Sequence, residues 1–265
     1  MTKIFTLTEI MKELEDSIIN EKPFSLIRFG DGGLKLIKRY YDKKSLFSIS
    51  RREGIPLWFF DELISGWRKY ANEANFIDSP DVYLHEGLFN KRNKVSIDTK
   101  ELMYDWKKIY KLIGFKNKRF CNPEIGYLLL AENANKNMLD VIANRSVCCI
   151  TTFLEIKNIL SPFAKDIDVK LIPGFFGNFY NVCYESLMRE IEQEAQKYDL
   201  WLVGAGELGR LFSGKIKECG GRALDIGKVF DILVNRKINK RMRNIAKFSD
   251  NHEIMLVIGD GNEIW

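Results

Sequence analysis

Short apolar runs alternate with segments of helical period along this chain, and no other feature limits its fold as strongly. Such runs occur at 24–29, 145–150, 169–172, 200–203 and 222–224. After them, apolar residues fall at helical spacing in the stretch after Gly33, over 151–160, 183–197 and 208–219, and from Lys228 onward. The run LWLV at 200–203 is apolar throughout, as a strand covered on both faces of a sheet must be. Further helices are expected at 7–20, with Thr8 as the N-cap, and at 56–74, 99–113 and 125–132. Further strands are expected at 82–84 and ending at Phe120. Strands and helices alternating at this spacing build βαβ units. The expectation is an α/β fold with a mostly parallel, Rossmann-like sheet flanked by helices. No internal repeat or low-complexity linker breaks the pattern, so residues 1–265 read as one domain, long enough to bury a substantial core.

Composition removes several function classes. The five cysteines are odd in number and form no C-x-x-C pair, and His85 and His252 are the only histidines. That argues against a structural zinc site or a disulfide framework. No apolar run approaches the length of a bilayer crossing and no signal peptide is evident, so a cytoplasmic protein is expected. The net charge of +5 is mild and does not by itself imply nucleic acid, which is not expected as a partner. Much of the excess lies in 236–247, where Arg236, Lys240, Arg243 and Lys247 share one helical face and Ile238, Met242 and Ile245 the other. A solvated face is the simplest reading of this basic amphipathic segment. A peripheral contact with the inner face of the cell membrane, or with a lipid-pyrophosphate acceptor, is the functional one.

In open parallel sheets, ligands sit beyond the carboxyl ends of the strands. The residues to weigh are therefore Asp31, Glu124, Thr151, Gly174, Gly204 to Gly206 and Asp225. Gly204-Ala-Gly206-Glu207-Leu-Gly209 is a G-x-G-x-x-G directly after the strand LWLV, with Asp225 at the end of the next strand. Read literally, it predicts an NAD or S-adenosylmethionine enzyme with Asp225 on a ribose. Too little chain follows Gly209 for the strands such a fold still needs. What remains is the physical content: glycines at a strand-to-helix turn let backbone amides approach a phosphate, or simply let the turn pack. Earlier in the chain, Arg28-Phe-Gly30-Asp31-Gly32-Gly33 places a carboxylate among glycines at a strand tip, open to a ligand or a metal, where a plain turn is the bland alternative.

Ser25-Leu-Ile-Arg28-Phe-Gly30-Asp31-Gly32 resembles the opening signature, R-F-G-D-G-E, of the bacterial GT-D fold glycosyltransferases. The stretch from Gly204 through Gly220-Gly221-Arg-Ala-Leu-Asp225-Ile-Gly227 to Asp231 is similar to the C-terminal region of that family. The resemblance implies a GT-D-like domain that transfers a sugar from a nucleotide donor, typically a UDP-hexose, to a growing glycan. It also implies a divalent cation, Mn²⁺ or Mg²⁺, on the D-x-E of the signature. Here Asp31-Gly32-Gly33 replaces D-x-E, so Asp31 and the donor diphosphate would have to hold the cation, which weakens that expectation. A non-catalytic relative that binds the donor is the corresponding alternative.

Transfer requires a charge partner for the departing diphosphate, for which Asp31, Arg28 and the turn at Gly204 to Gly206 are the candidates. A base for the acceptor hydroxyl would come from Glu124, Glu207 or Asp225. Gly30, Gly32, Gly204, Gly206, Glu207 and Asp225 are the expected donor-binding set. The acceptor would be a surface glycan, one carried on polyprenyl pyrophosphate included. His85 with Glu86, and the aromatics of PGFFGNFY after the strand at 169–172, are weaker candidates with ordinary structural explanations.

Overall fold

Among the described residues, eight short strands pair into one sheet, every neighbour parallel, in the order β1-β4-β3-β2-β8-β7-β5-β6. They are β1 (Ile4–Phe5), β2 (Phe24–Ile27), β3 (Phe76–Asp78), β4 (Phe120–Cys121), β5 (Ser146–Thr151), β6 (Asp166–Leu171), β7 (Leu200–Val203) and β8 (Arg222–Asp225). This is a computed structural model, and it describes residues 4–42, 46–47, 50–51, 54–79, 105–122, 125–129, 138–173 and 180–235. The first four strands form one half of the sheet and the last four the other, joined where β2 lies beside β8.

Period-two alternation sorts the strand side chains between two cores. Trp201, Val203, Cys148, Ile150, Ala223 and Ile27 point to one face, while Leu200, Leu202, Val147, Cys149, Leu224 and Leu26 point to the other. The first face is covered by α2 (Gly30–Tyr41), α3 (Phe60–Glu73), α4 (Trp106–Ile113), α8 (Glu185–Glu194) and α9 (Gly209–Glu218). The second is covered by α1 (Leu7–Ile19), α5 (Ile125–Leu128), α6 (Met138–Ile142), α7 (Ile156–Leu160) and α10 (Val229–Asn235). The expected α/β architecture of helices on both faces of a parallel sheet is what the chain forms.

Two local expectations are corrected, and one unexpected strand is found. The cap of α1 is Thr6 and not Thr8: Thr6 Oγ1 accepts the Glu9 N–H at 3.2 Å, and Glu9 accepts the Thr6 N–H at 2.8 Å, a reciprocal capping box. The third strand is Phe76–Asp78, too short to display alternation; the strand expected at 82–84 lies outside the described residues. The glycines after β2 open a helix and do not form a free turn, since α2 begins at Gly30 and the Gly33 N–H reaches Phe29 O at 2.9 Å.

β6 is a sheet edge, and charge covers it. Lys170 Nζ lies 2.9 Å from Glu190 and 3.0 Å from Glu194, both on α8. The Tyr198 hydroxyl donates to Asp168 at 2.5 Å and to Glu194 at 3.2 Å. That hydroxyl, with a backbone N–H and Lys170, holds the Asp168 carboxyl below its ordinary pKa, against a smaller opposing effect of burial. A carboxyl depressed in the folded state adds stability above its unfolded pKa and loses it as pH falls through the folded value. Tyr198→Phe is therefore expected to cost about 1 kcal/mol at pH 7 and less at pH 3, read from urea midpoints. An equal cost at both values would contradict this assignment.

Candidate functional site at the carboxyl ends of β2 and β8

The helix after β2 packs on one face of the sheet and the helix after β8 on the other, although the two strands are neighbours. Such a divergence opens a crevice at the carboxyl edge. Its floor is set by two aspartates, each the last residue of a strand flanking β2. From β3, Asp78 Oδ1 accepts the Phe29 N–H and Oδ2 the Gly30 N–H, both at 2.7 Å. From β8, Asp225 Oδ2 accepts the Arg28 N–H at 3.3 Å and Oδ1 the Gly227 N–H at 3.1 Å. Three consecutive amides of Arg28-Phe29-Gly30 are thus held by side chains of the neighbouring strands, just where the sheet ladder ends.

These groups are deeply buried. Asp78 has 0% exposure and Asp225 6%. Burial pushes the Asp225 carboxyl above its ordinary pKa, opposed by the nearby Arg28 and Arg210 guanidinium groups and by the two amides. Tyr110 adds a third donor to Asp78, its hydroxyl reaching the backbone oxygen at 2.9 Å and Oδ1 at 3.2 Å. Burial, and then Asp78, hold that phenol well above its usual range.

Arg210 locks the same junction from the other side. Its Nη2 donates to Phe29 O at 2.6 Å and its Nη1 to Glu207 at 2.5 Å, with the guanidinium 4.6 Å from the centre of the Trp67 ring. Trp67 in turn donates to Glu207 O at 3.2 Å, and its ring meets that of Phe29 edge-on at 5.5 Å. Position 33 is packed against this arginine: a Cβ on Gly33 would lie 2.9 Å from Arg210 Nη2. A Cβ on Gly32 would lie 3.0 Å from Glu207 Oε1.

Arg28 leans across the crevice toward β8. Its Nη1 sits 2.3 Å from where a Cβ of Gly227 would be, and Gly227 has φ +58, in the left-handed region. Gly204, the first glycine of the G-x-G-x-x-G, is also filled by protein: a Cβ there would lie 2.6 Å from the Phe230 ring and 2.9 Å from Gly227 O. Its glycine serves the packing of the β7 turn on the β8 turn.

Of the residues expected from the sequence, Arg28, Gly30, Gly32, Glu207 and Asp225 converge on this junction, with α2 placing Asp31 in its first turn. Gly206 opens the 3₁₀ turn that carries Glu207. Glu124, Gly174, His85, Glu86 and the basic segment 236–247 lie outside the described residues. Asp78 and Arg210 were not singled out. Asp78 has a sequence signal, an acid closing a short apolar run (FID), but the run is too short to show a strand's alternation. Arg210 stands three residues after Glu207 on the helix that follows, the ordinary spacing of a helical ion pair. A separate groove of about 320 Å³, lined in part by Glu62, Lys69, Tyr70, Tyr184 and Met188, lies on the outer helices away from the strand ends.

In open α/β sheets, a crevice at the carboxyl ends of neighbouring strands whose helices diverge is where ligands bind. No protein-family model and no curated protein matches the sequence. Solved structures do match. The selenomethionine-substituted domain of unknown function 1792 (DUF1792) superposes with TM-score 0.57 at 15% identity, over 88% of this chain and 82% of that one. A second structure of that domain, described as having a distinct glycosyltransferase fold, gives 0.53 at 14% identity over 88% and 82%. A new glycosyltransferase (DUF1792) from Streptococcus sanguinis gives 0.54 at 17% identity over 90% and 87%. This chain therefore has the distinct glycosyltransferase fold of DUF1792, the GT-D arrangement that its opening signature resembles.

If Asp78 organises the junction, Asp78→Ala strands two amides and destabilises the protein by about 3 kcal/mol, with Asp78→Asn costing less. Urea denaturation would read this, and a variant within about 0.5 kcal/mol of the parent would show that the amides find other partners.

Proposed function

We propose that this protein is a glycosyltransferase moving a hexose from a UDP-sugar donor to a growing bacterial surface glycan. The observation that carries the reading is Arg28 at the β2/β8 crevice of a glycosyltransferase fold. In transfer, the acceptor oxygen bonds to the anomeric carbon, the bond from that carbon to the diphosphate oxygen breaks, and the acceptor proton passes to a base. Negative charge grows on the leaving diphosphate, and a fixed cation facing it lowers the barrier. Arg28 supplies that cation in this reading, and the first turn of α2, at Gly30 to Gly32, approaches the donor. Gly204, Gly206 and Glu207 shape the adjoining wall. Glu207 is paired with Arg210, and both oxygens of Asp225 accept backbone amides. Asp31 and Glu124 are then the carboxylates left for the base.

The described residues do not fit a two-carboxylate metal site. Position 33 carries no side chain, and its Cβ direction meets the Arg210 guanidinium, a cation, at 2.9 Å. No group of three His, Cys, Asp or Glu suited to a metal occurs among the described residues. With glycine at 33 and a guanidinium beside it, the proposal is of a donor held chiefly by protein charge. No described helix is long and apolar enough to cross a membrane. A polyprenyl-pyrophosphate-linked acceptor at the inner face of the membrane, met by the basic residues of 236–247, completes the proposal in the cytoplasm.

Thermal-shift titration with UDP-sugars, GDP-sugars, NAD and S-adenosylmethionine tests it. A UDP-sugar should stabilise the protein, and EDTA should change the affinity by no more than about twofold. Stabilisation by NAD alone, or a strict Mn²⁺ requirement, would contradict the reading. Asp31→Asn is expected to abolish transfer while leaving the melting temperature near that of the parent, and full activity in that variant would remove Asp31 from the site.

A further inference from the structure

We infer that Asp225 and Gly227 are positioning residues that act on the donor through Arg28, and that neither touches the nucleotide sugar. The inference rests on the nucleotide-sugar reading above.

Asp225 has two carboxylate oxygens, and each accepts a backbone amide: Oδ2 that of Arg28 at 3.3 Å, Oδ1 that of Gly227 at 3.1 Å. One buried side chain therefore ties the end of β2 to the turn after β8. With 6% exposure and both oxygens engaged, it is poorly placed to bond a ribose or to take a proton from an acceptor. Yet it is bonded to the Arg28 backbone at 3.3 Å, and the nearby guanidinium opposes the upward effect of burial on its carboxyl.

Gly227 completes the device. The turn needs its left-handed φ of +58, and the space its missing Cβ would take is filled by Arg28 Nη1, 2.3 Å away. Any side chain here must push the guanidinium out of its place. The fold thus sets Arg28 in two ways: the Asp225 carboxylate holds its backbone amide, and the absence of a side chain at Gly227 gives its guanidinium room. A pre-set cation costs the enzyme no reorganisation when the diphosphate charge develops, whereas an arginine on a free tether loses rotamer entropy on each binding event.

A contact through Arg28 predicts non-additivity, because residues that act as a unit do not lose their effects twice. The experiment measures the Kd of a UDP-hexose by calorimetry for the parent, Arg28→Ala, Gly227→Ala and the double variant, each checked by thermal melting. Arg28→Ala and Gly227→Ala should each weaken binding by about tenfold, the loss of one charge-assisted hydrogen bond. The double variant should be no weaker than Arg28→Ala alone. Asp225→Asn should likewise add nothing in the Arg28→Ala background. Asn tolerates the left-handed region and carries the same Cβ, so Gly227→Asn gives the same reading should Gly227→Ala fail to fold. Losses that multiply would show that Asp225 or Gly227 meets the donor directly and would overturn the inference alone. A parent protein that binds no nucleotide sugar would overturn the nucleotide-sugar reading and this inference with it.

Discussion

Three successive amides leave the sheet at the end of β2, and two aspartates from the neighbouring strands take them. This is the constraint on which the crevice depends. A strand that ends in a buried junction must still satisfy its N–H groups, and each one left unpaired costs about 1–3 kcal/mol. Asp78 and Asp225 meet that demand from the two sides of β2, so β3, β2 and β8 are fixed to one another above the level of their ladder. Helix α2 can then start at once, with its N-terminus capped by another strand's side chain and not by its own N-cap residue. Arg28, at the end of the strand that lies between those of the two carboxylates in the sheet, faces the β8 turn.

The architecture was legible because buried parallel strands advertise themselves. LWLV at β7 is apolar on both faces, and β5 behaves in the same way, so periodicity and turn residues sufficed to place them. The interior strands of the first half were less readable. β3 and β4 have three and two residues, too few to show a period, and their burial depends on Trp67, Trp106 and Tyr110, which arrive from distant helices. Thr6 and Thr8 both precede a helical run; only the reciprocal bond with Glu9 decides between them.

The site was legible in part for the same reason. Arg28, Gly30, Glu207 and Asp225 sit where strand ends meet helix starts, which a sequence marks with glycine and acid. Asp78 and Arg210 were hidden, because their importance comes from a partner far along the chain: Phe29 is 49 residues from one and 181 from the other. The G-x-G-x-x-G was the converse, a strong pattern whose first glycine is explained by contact with Phe230 and Gly227. The altered signature also gains a physical sense. With glycine at 33, Arg210 reaches Phe29 O and pairs with Glu207; a glutamate there would start against that guanidinium and compete for it.

The donor diphosphate is proposed to bind at Arg28. A crystal structure with a UDP-hexose tests this most directly. The diphosphate oxygens should lie within hydrogen-bond reach of the Arg28 guanidinium, at the carboxyl ends of β2 and β8, with Asp225 still holding the Arg28 and Gly227 amides. A nucleotide seated in the groove over α3 and α8, with Arg28 uninvolved, would contradict it.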